Sequence, residues 1–222
     1  AHARALGVLR EAEALAGTLG DERRLARALS YQSNMHWEMG DAEAASEAGR
    51  RALAIAERAE DLALQVVGNF SLAGATRSLG DYPRAAELLR RNVALLEGDL
   101  RYETFGLAGL ASVMSRSHLA WSLAELGEFH EAVERARLRR PEATGHVYSL
   151  AYACLGLGGA LLRRGRLGAA QGVLERGLAL CEEVPGLFPP FAGDLALVRA
   201  LGGRATEAVE LAAQGVARAE PA

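Results

Sequence analysis

Residues that commonly carry out chemistry are sparse in this sequence. All 25 basic residues are Arg, so neither a Gly-x-x-x-x-Gly-Lys phosphate loop nor a lysine Schiff base can form in these 222 residues. His130-Glu131 lacks the second His of a zinc-binding helix, and Gly156, Gly158 and Gly159 do not fit the dinucleotide-binding fingerprint. The sequence therefore predicts no catalytic residue, no metal site and no cofactor, and it indicates that the chain is not an enzyme.

The cysteines and the charge balance exclude further classes of function. Cys154 and Cys181 are too few for a disulfide framework or a zinc site, and both lie in apolar stretches, so we expect buried free thiols. The formal net charge is -3, and Arg is interleaved with Glu, which does not predict a nucleic-acid-binding surface. Apolar runs are shorter than the roughly 20 residues that span a bilayer. We expect neither nucleic acid nor membrane as a direct partner.

A recurring Gly-Asp dipeptide indicates how the chain is divided into helices. Gly accepts the left-handed backbone that ends a helix, and the Asp side chain accepts a hydrogen bond from the free amides that begin the next one. Glu60-Asp61 stands where one further copy of the dipeptide is expected. Regular alternation of such stops and starts predicts a row of helical hairpins. The copies that follow a near-constant interval are Gly20-Asp21, Gly40-Asp41, Gly80-Asp81 and Gly98-Asp99.

Small residues recur at two fixed positions relative to the turn glycines Gly40, Gly80, Gly127, Gly165 and Gly203. Half of the residues are hydrophobic but only 5% are aromatic, so Ala and Leu dominate, as in packed helices. Small side chains at one place on both helices of a hairpin allow their backbones to approach closely. The residues seven before and five after each turn glycine are Ser33, Ala45, Ala73, Ala85, Ala120, Ala132, Gly158, Ala170, Ala196 and Ala208.

These patterns predict an all-α fold of antiparallel helical hairpins, formed by one domain over residues 1–222. Arg140 and Pro141 make the third repeat the weakest, because Arg stands at an apolar position and Pro ends the helix early. The interval from Gly80 to Gly127 is longer than the other intervals between turn glycines, and its additional residues are assigned to 98–106. The predicted units are a half repeat at 1–19 and repeats at about 21–59, 62–97, 104–140, 146–183 and 188–219.

The hairpin pattern resembles the tetratricopeptide (TPR) repeat, and this resemblance implies a right-handed α-α superhelix. Leu72-Ala73, Gly80-Asp81-Tyr82 and Ala85 look like the small-residue and turn positions of that family, although the period here is longer than the usual 34 residues. The stretches 62–70 and 88–98 are similar to the C-terminal arrays of bacterial signalling proteins that couple an adenylate or guanylate cyclase domain to an ATPase. LuxR-type transcription activators with an ATPase core carry comparable arms.

The resemblance implies a concave groove lined by the first helix of each hairpin, where a protein or peptide binds. Aromatic side chains flanked by Arg and Asn are the types that anchor peptides. The alternative for Trp37 and Trp121 is that they fill gaps between successive hairpins. The groove residues so predicted are Arg27, Ser30, Asn34, Trp37, Phe70, Arg77, Met114, Ser117, Trp121 and Tyr152.

Three functions from different classes remain open. Asn34 matches the TPR clamp for chaperone carboxylates, but Ser30 and Met114 stand where that clamp has Lys, so a chaperone clamp is disfavoured. The chain is interpreted as part of a larger cytoplasmic protein, in which it serves as a regulatory arm of a cyclase or ATPase signalling protein. The two alternatives are that the chain is the effector-sensing arm of a transcription activator or a scaffold for self-association. The expected partners are a protein or peptide, other domains of the same parent chain, or a second copy in a homo-oligomer.

Overall fold

Helices form nearly all of the regular structure. A computed structural model describes residues 2–137 and 145–219, and within these ranges it contains no β-strand. Short 3-10 turns lie at Gly98–Tyr102, Leu180–Glu182 and Pro185–Leu187. The all-α prediction is confirmed. The α-helices are α1 (His2–Leu19), α2 (Glu22–Glu38), α3 (Ala42–Arg58), α4 (Leu62–Ser78), α5 (Tyr82–Leu95), α6 (Ala111–Glu125), α7 (Phe129–Ala136), α8 (Val147–Arg163), α9 (Leu167–Ala179), α10 (Phe188–Leu201) and α11 (Ala205–Ala219).

The chain divides into two compact units, Ala1–Leu107 and Ala108–Ala222, which we call unit 1 and unit 2. Unit 1 contains the hairpins α2/α3 and α4/α5, and unit 2 contains α6/α7, α8/α9 and α10/α11. Within each unit the first helix of one hairpin also packs on the first helix of the next, as α2 does on α4 and α6 on α8. Each unit thus has the stacked hairpins of an all-α repeat superhelix, the predicted class. A single domain over residues 1–222 stays a prediction.

The turns between helices have the backbone that the Gly-Asp pattern predicts. Gly40 has a φ of 81°, and the N–H of Asp41 donates to the carbonyl of His36 at 2.9 Å. The Asp41 side chain then accepts from the N–H of Ala44 at 3.0 Å, which caps α3. Glu60 adopts the same left-handed backbone, with a φ of 50°, without being a glycine. Side-chain caps of this kind occur at Asp21, Asp41, Asp61 and Asp81.

The predicted columns of small residues lie at close contacts between helices. All ten are buried, from Ser33 and Ala45 in unit 1 to Ala196 and Ala208 in unit 2. The hydroxyl of Ser33 donates to the carbonyl of Ala45 at 2.7 Å, so the α2/α3 contact also carries a hydrogen bond. A Cβ at Gly158 would lie 2.5 Å from Leu174 Cδ2 across the α8/α9 contact. This part of the prediction is confirmed, because the contacts have no room for larger side chains.

The third predicted repeat differs from the structure at its start. Helix α6 begins at Ala111 and not at residue 104, because Gly98–Tyr102 forms a 3-10 turn and the chain from residue 103 to 110 is not helical. Gly98-Asp99 therefore does not begin an α-helix. The N–H of Leu110 donates to the Ser149 hydroxyl at 2.9 Å, which ties the start of α6 to α8. Helix α7 ends at Ala136, and the predicted stop at Arg140 and Pro141 lies outside the described residues.

The two thiols and the membrane expectation can also be compared with the structure. Cys154 and Cys181 are buried and free, as predicted, and burial raises the pKa of the Cys181 thiol. Across residues 2–137 and 145–219, no helix has the length and apolar character needed to cross a membrane.

Candidate binding surface

The predicted groove residues lie on first helices, but half of them have little surface. Ser30, Phe70 and Ser117 each stand ten residues before a turn glycine, and their exposed fractions are 1%, 4% and 2%. They are buried because successive first helices touch at this position. In unit 2 the Ser117 hydroxyl donates to the carbonyl of Tyr152 at 3.1 Å, and a Cβ at Gly156 would lie 2.6 Å from Ser117 Cβ. These three side chains therefore have almost no accessible surface, and their contact with a partner stays a prediction.

Met114 and Tyr152 are buried for the same reason, since both lie on the α6/α8 side of their helices. Arg27 is exposed. The other four, Asn34, Trp37, Arg77 and Trp121, are partly exposed. Direct contact of these five with a partner stays a prediction. The predicted groove residues that keep accessible surface are Arg27, Asn34, Trp37, Arg77 and Trp121.

Trp37 lies over the next first helix of unit 1. A Cβ at Gly74 would lie 3.3–3.4 Å from three atoms of the indole ring, so the absence of a side chain at Gly74 lets the ring approach α4. The indole N–H donates to the Ser78 hydroxyl at 2.8 Å. The guanidinium carbon of Arg77 lies 6.0 Å from the ring centroid, at the outer limit of a cation–π contact. Trp37 therefore fills a gap between hairpins and keeps part of its surface.

Trp121 lies over α8 of unit 2 within a group of aromatic rings. A Cβ at Gly159 would lie 2.7 Å from the indole Nε1. The ring centroids of His118 and Tyr152 lie 4.8 Å and 5.9 Å from that of Trp121. His118 is buried, and its Nε2 lies 2.6 Å from the Tyr152 hydroxyl oxygen. These contacts fix the orientation of Trp121, because its neighbours are themselves held in the core.

Asp194 of α10 brings an acidic group to the same part of unit 2. Its Oδ2 would lie 3.3 Å from a Cβ at Gly159, which is the point that Trp121 Nε1 also approaches. Burial raises the pKa of this carboxyl group, Arg163 opposes the rise, and Glu125 adds to it. The sequence analysis did not identify Asp194. The signal available was that it is the only acidic residue in the largely apolar stretch 188–201.

A concavity lies in unit 1, at the turn between α3 and α4. It has a volume of about 570 Å³ and includes Glu60 and Phe105, the two non-glycine residues with left-handed backbone among residues 2–137 and 145–219. The pKa of Asp61 is lowered, first by the hydrogen bond from the Leu64 N–H and then by the Arg23 side chain. Asp61 is thus already engaged as a helix cap, and no Ser, Thr, Cys or His side chain is among the residues that line this cavity. Within the described residues, no three His, Cys, Asp or Glu side chains are grouped as metal ligands.

No protein-family model and no curated protein matches the sequence. Solved structures do match. A protein of Podosopora anserina assigned as a kinesin light chain, with nearly identical TPR-like repeats, is 22% identical with a TM-score of 0.57, over 89% of this chain and 95% of that one. BtubC (BKLC) from P. vanneervenii is 19% identical with a TM-score of 0.63, over 98% and 91%. The apo form of RapI is 16% identical with a TM-score of 0.66, over 96% and 89%.

These likenesses establish the class of fold. The hairpin register, the small-residue contacts and the solved structures agree on a TPR-like repeat architecture. At identities of 16% to 22% the agreement concerns the fold alone, because unrelated functions share such architectures.

Proposed function

We propose that the chain is a non-catalytic scaffold whose first helices bind a segment of a partner protein or a peptide. The observation that carries this proposal is the position of the two tryptophans. Trp37 and Trp121 each lie over a glycine of the next first helix and each keep accessible surface. Partly exposed, well-oriented aromatic rings are the side chains that most often anchor a protein partner, because they bury a large apolar area at small entropic cost.

The more specific function that we propose is that of a regulatory or sensing arm in a larger bacterial signalling protein of the cyclase or ATPase type, located in the cytoplasm. Its support is the resemblance of the stretches 62–70 and 88–98 to the arrays of such proteins. The bound partner is then a separate protein or another domain of the same parent chain. The coding sequence on either side of these 222 residues tests this assignment. A cyclase domain supports it, whereas a winged or LuxR-type DNA-binding domain favours the transcription activator.

Site-specific photo-crosslinking tests the binding surface itself. A photoreactive phenylalanine analogue is placed at Arg27, which is exposed on α2, and in a matched variant at Val209, which is exposed on the second helix α11. Both variants are expressed in the native cell and irradiated. We expect a discrete adduct with another protein from position 27 and at most background from position 209, because only position 27 lies on a first helix.

The masses of the adducts separate the remaining functions. A heterologous adduct that disappears when Trp37 is also changed to Ala supports a peptide-binding surface. An adduct between two copies of this chain, together with a concentration-dependent mass in light scattering, favours the self-association scaffold. Equal labelling from positions 27 and 209 contradicts the proposal, because binding would then not distinguish first from second helices.

A further inference from the structure

We propose that Asp194 receives a basic side chain of the bound partner, beside Trp121 on the first-helix surface of unit 2. This inference rests on the proposed function, and it assigns the chemistry of the partner at one position. We call Trp121, Gly159 and Asp194 together the Asp194 site. Helices α6, α8 and α10 contribute one residue each.

The geometry of the Asp194 site depends on a glycine. The indole Nε1 of Trp121 and the Oδ2 of Asp194 lie 2.7 Å and 3.3 Å from the point where a Cβ of Gly159 would stand. Any larger residue at 159 would separate the indole from the carboxylate. Because Gly159 has no side chain, an aromatic ring and an acidic group from two different helices face the same small volume.

The charge of Asp194 is poorly compensated within unit 2. Arg163 is the cation that opposes the raised pKa of Asp194, but its Nε donates to Glu125 Oε1 at 2.5 Å and its Nη1 donates to the carbonyl of Gly159 at 3.4 Å. Among the described residues, no hydrogen bond or ion pair joins Asp194 to a basic group. Glu125 brings a second negative charge, so one Arg, Arg163, faces two carboxylates and the local net charge is negative.

A partner with a basic side chain is the occupant that complements this site. A partly buried carboxylate without a counter-ion gains most from a cation that brings hydrogen-bond donors. The guanidinium of Arg also lies favourably over an indole ring, and Trp121 supplies that ring. An acidic or phosphorylated segment would meet the charges of Asp194 and Glu125 and be repelled. The raised pKa of Asp194 agrees with an environment in which burial outweighs the opposing charge of Arg163.

Peptide pools that differ at one position test the inference on the 222-residue chain. Three pools of short fluorescent peptides are degenerate except at a central residue, which is Arg, citrulline or Glu. Citrulline keeps the size of Arg and removes its charge. We expect the Arg pool to bind about fivefold more tightly than the citrulline pool in fluorescence anisotropy, and the Glu pool to bind most weakly. This preference should weaken as the salt concentration rises from about 0.1 M to about 0.5 M.

Two variants test whether Asp194 causes the preference for the Arg pool. Asp194→Asn keeps the size of the side chain and removes the charge, and we expect it to bind the Arg and citrulline pools equally. Glu210→Gln removes the same charge from an exposed position on α11 and should keep the preference of the wild type. Circular dichroism of both variants checks that the helices are intact. Asp194→Glu, which restores the charge at a different length, should recover part of the preference.

The outcomes separate this inference from the proposed function. If all three pools bind the wild type equally, or if Asp194→Asn and Glu210→Gln reduce Arg-pool binding alike, the role of Asp194 is wrong and the peptide-binding function stands. If no pool binds, both are overturned. If the Arg preference persists in folded Asp194→Asn, another acidic group receives the basic side chain and the inference is again wrong.

Discussion

Trp37 in unit 1 and Trp121 in unit 2 lie on the next first helix in the same manner but have neighbours of opposite charge. Each ring lies over a glycine six residues before a turn glycine, Gly74 in one unit and Gly159 in the other. Arg77 lies near the ring in unit 1, whereas Asp194 lies near it in unit 2. The repeat architecture thus fixes where an aromatic ring is placed, and the residues around that ring decide which charge a partner meets there.

The surroundings of the two rings also differ in rigidity. The contacts of Trp37 include a hydrogen bond to Ser78, the approach to Gly74 and the nearby guanidinium of Arg77. Trp121 contacts a closer glycine and two aromatic rings, His118 and Tyr152, which are both buried. We therefore expect unit 2 to be more sensitive than unit 1 to changes at the aromatic site, and equally sensitive at the helix contacts that both units share.

The largest expected effect is at a shared contact. Ala85 in α5 and Ala170 in α9 occupy the same position in their hairpins, and both are fully buried. Ala85→Arg and Ala170→Arg should each lower the free energy of unfolding by about 3–5 kcal/mol, because a long charged side chain is forced into a close helix contact. Urea unfolding measures this. Ala54→Arg, at an exposed position of α3, is the control and should change stability by less than about 0.5 kcal/mol.

Equal stability of the three arginine variants would show that the small-residue columns are not close contacts. A large loss in one unit only would show that the two units do not share the same packing at this position.

Truncation of the two tryptophans tests the difference in rigidity. Trp121→Ala should cost about 2–3 kcal/mol and Trp37→Ala about 1–2 kcal/mol, because Trp121 loses contacts with two buried rings, His118 and Tyr152. Thermal melts and urea unfolding of both variants, in parallel with binding of the peptide pools, separate the loss of packing from the loss of affinity. A larger loss of stability for Trp37→Ala would reverse the comparison.

The glycines beneath the rings provide the next comparison. Alanine within a helix is worth up to about 1 kcal/mol over glycine, so the sign of each change depends on the space available. A Cβ at residue 159 would come within 2.7 Å of Trp121 Nε1, and one at residue 74 would lie 3.3 Å or more from Trp37. We expect Gly159→Ala to destabilise by about 1–2 kcal/mol and Gly74→Ala to be close to neutral, as measured by urea unfolding.

A fluorescence spectrum adds a second measurement for these variants. Displacement of Trp121 by Gly159→Ala should shift its emission, whereas Gly74→Ala should leave the emission of Trp37 nearly unchanged. Equal effects of the two substitutions on stability and emission would contradict the difference between the aromatic sites.

Helix capping differs between two corresponding turns, and we expect the difference in the free energy of unfolding to be about 1 kcal/mol. The Asp81 side chain accepts the N–H of Arg84 at 3.1 Å, whereas Arg166, at the corresponding turn in unit 2, makes no side-chain cap. Asp81→Ala should therefore cost about 1 kcal/mol, and Arg166→Ala should lie within about 0.5 kcal/mol of the wild type. Urea unfolding measures both, and Asp81→Asn should retain most of the stability. A costly Arg166→Ala would indicate a contact other than capping.

The pH dependence of stability should have opposite signs at two aspartates. Burial raises the pKa of Asp194, so the stability that its neutral form contributes at low pH is lost as the pH rises through the raised pKa. The pKa of Asp61 is lowered, chiefly by the Leu64 N–H, so its contribution is present above the ordinary pKa and is lost as the pH falls through the lowered one.

Urea unfolding at a series of pH values measures the two slopes. The difference in stability between Asp194→Asn and the wild type should become more favourable to the variant as the pH rises from acidic to neutral. For Asp61→Asn the difference should become less favourable to the variant over the same range. Asn remains an effective cap at position 61, which keeps the comparison to charge alone. Shifts of both variants in the same direction would contradict the assigned environments.

Much of the fold could be predicted from the sequence because it depends on local chemistry. The Gly-Asp turns follow from backbone conformation and capping, and the small columns, such as Ala45 and Ala85, follow from how closely two helices pack. Glu60 was found at its turn only by the interval between the glycines, since a left-handed Glu is uncommon. The late start of α6 at Ala111 was missed because Leu110, the residue before it, makes no side-chain cap and so gives no start signal in the sequence.

The binding surface was harder to predict because it depends on contacts between hairpins. Spacing from the turn glycine places Ser30, Phe70 and Ser117 on first helices, but it does not show that neighbouring first helices bury that position. Asp194 was missed because a lone Asp in an apolar stretch has no periodic signature. Its significance arises only when α8 and α10 bring it beside Trp121.

The turn glycines combine two properties whose joint consequence is chemical. Gly40, Gly80, Gly127, Gly165 and Gly203 have φ values of 77° to 82°, and no atom lies within 4 Å of the position where a Cβ would stand. The restriction at these sites is therefore one of handedness rather than volume. A mirror-image amino acid such as D-alanine favours positive φ, so it would satisfy this handedness and would leave the unfolded chain fewer conformations than glycine does. Chemical synthesis could thus reinforce the hairpins at their turns.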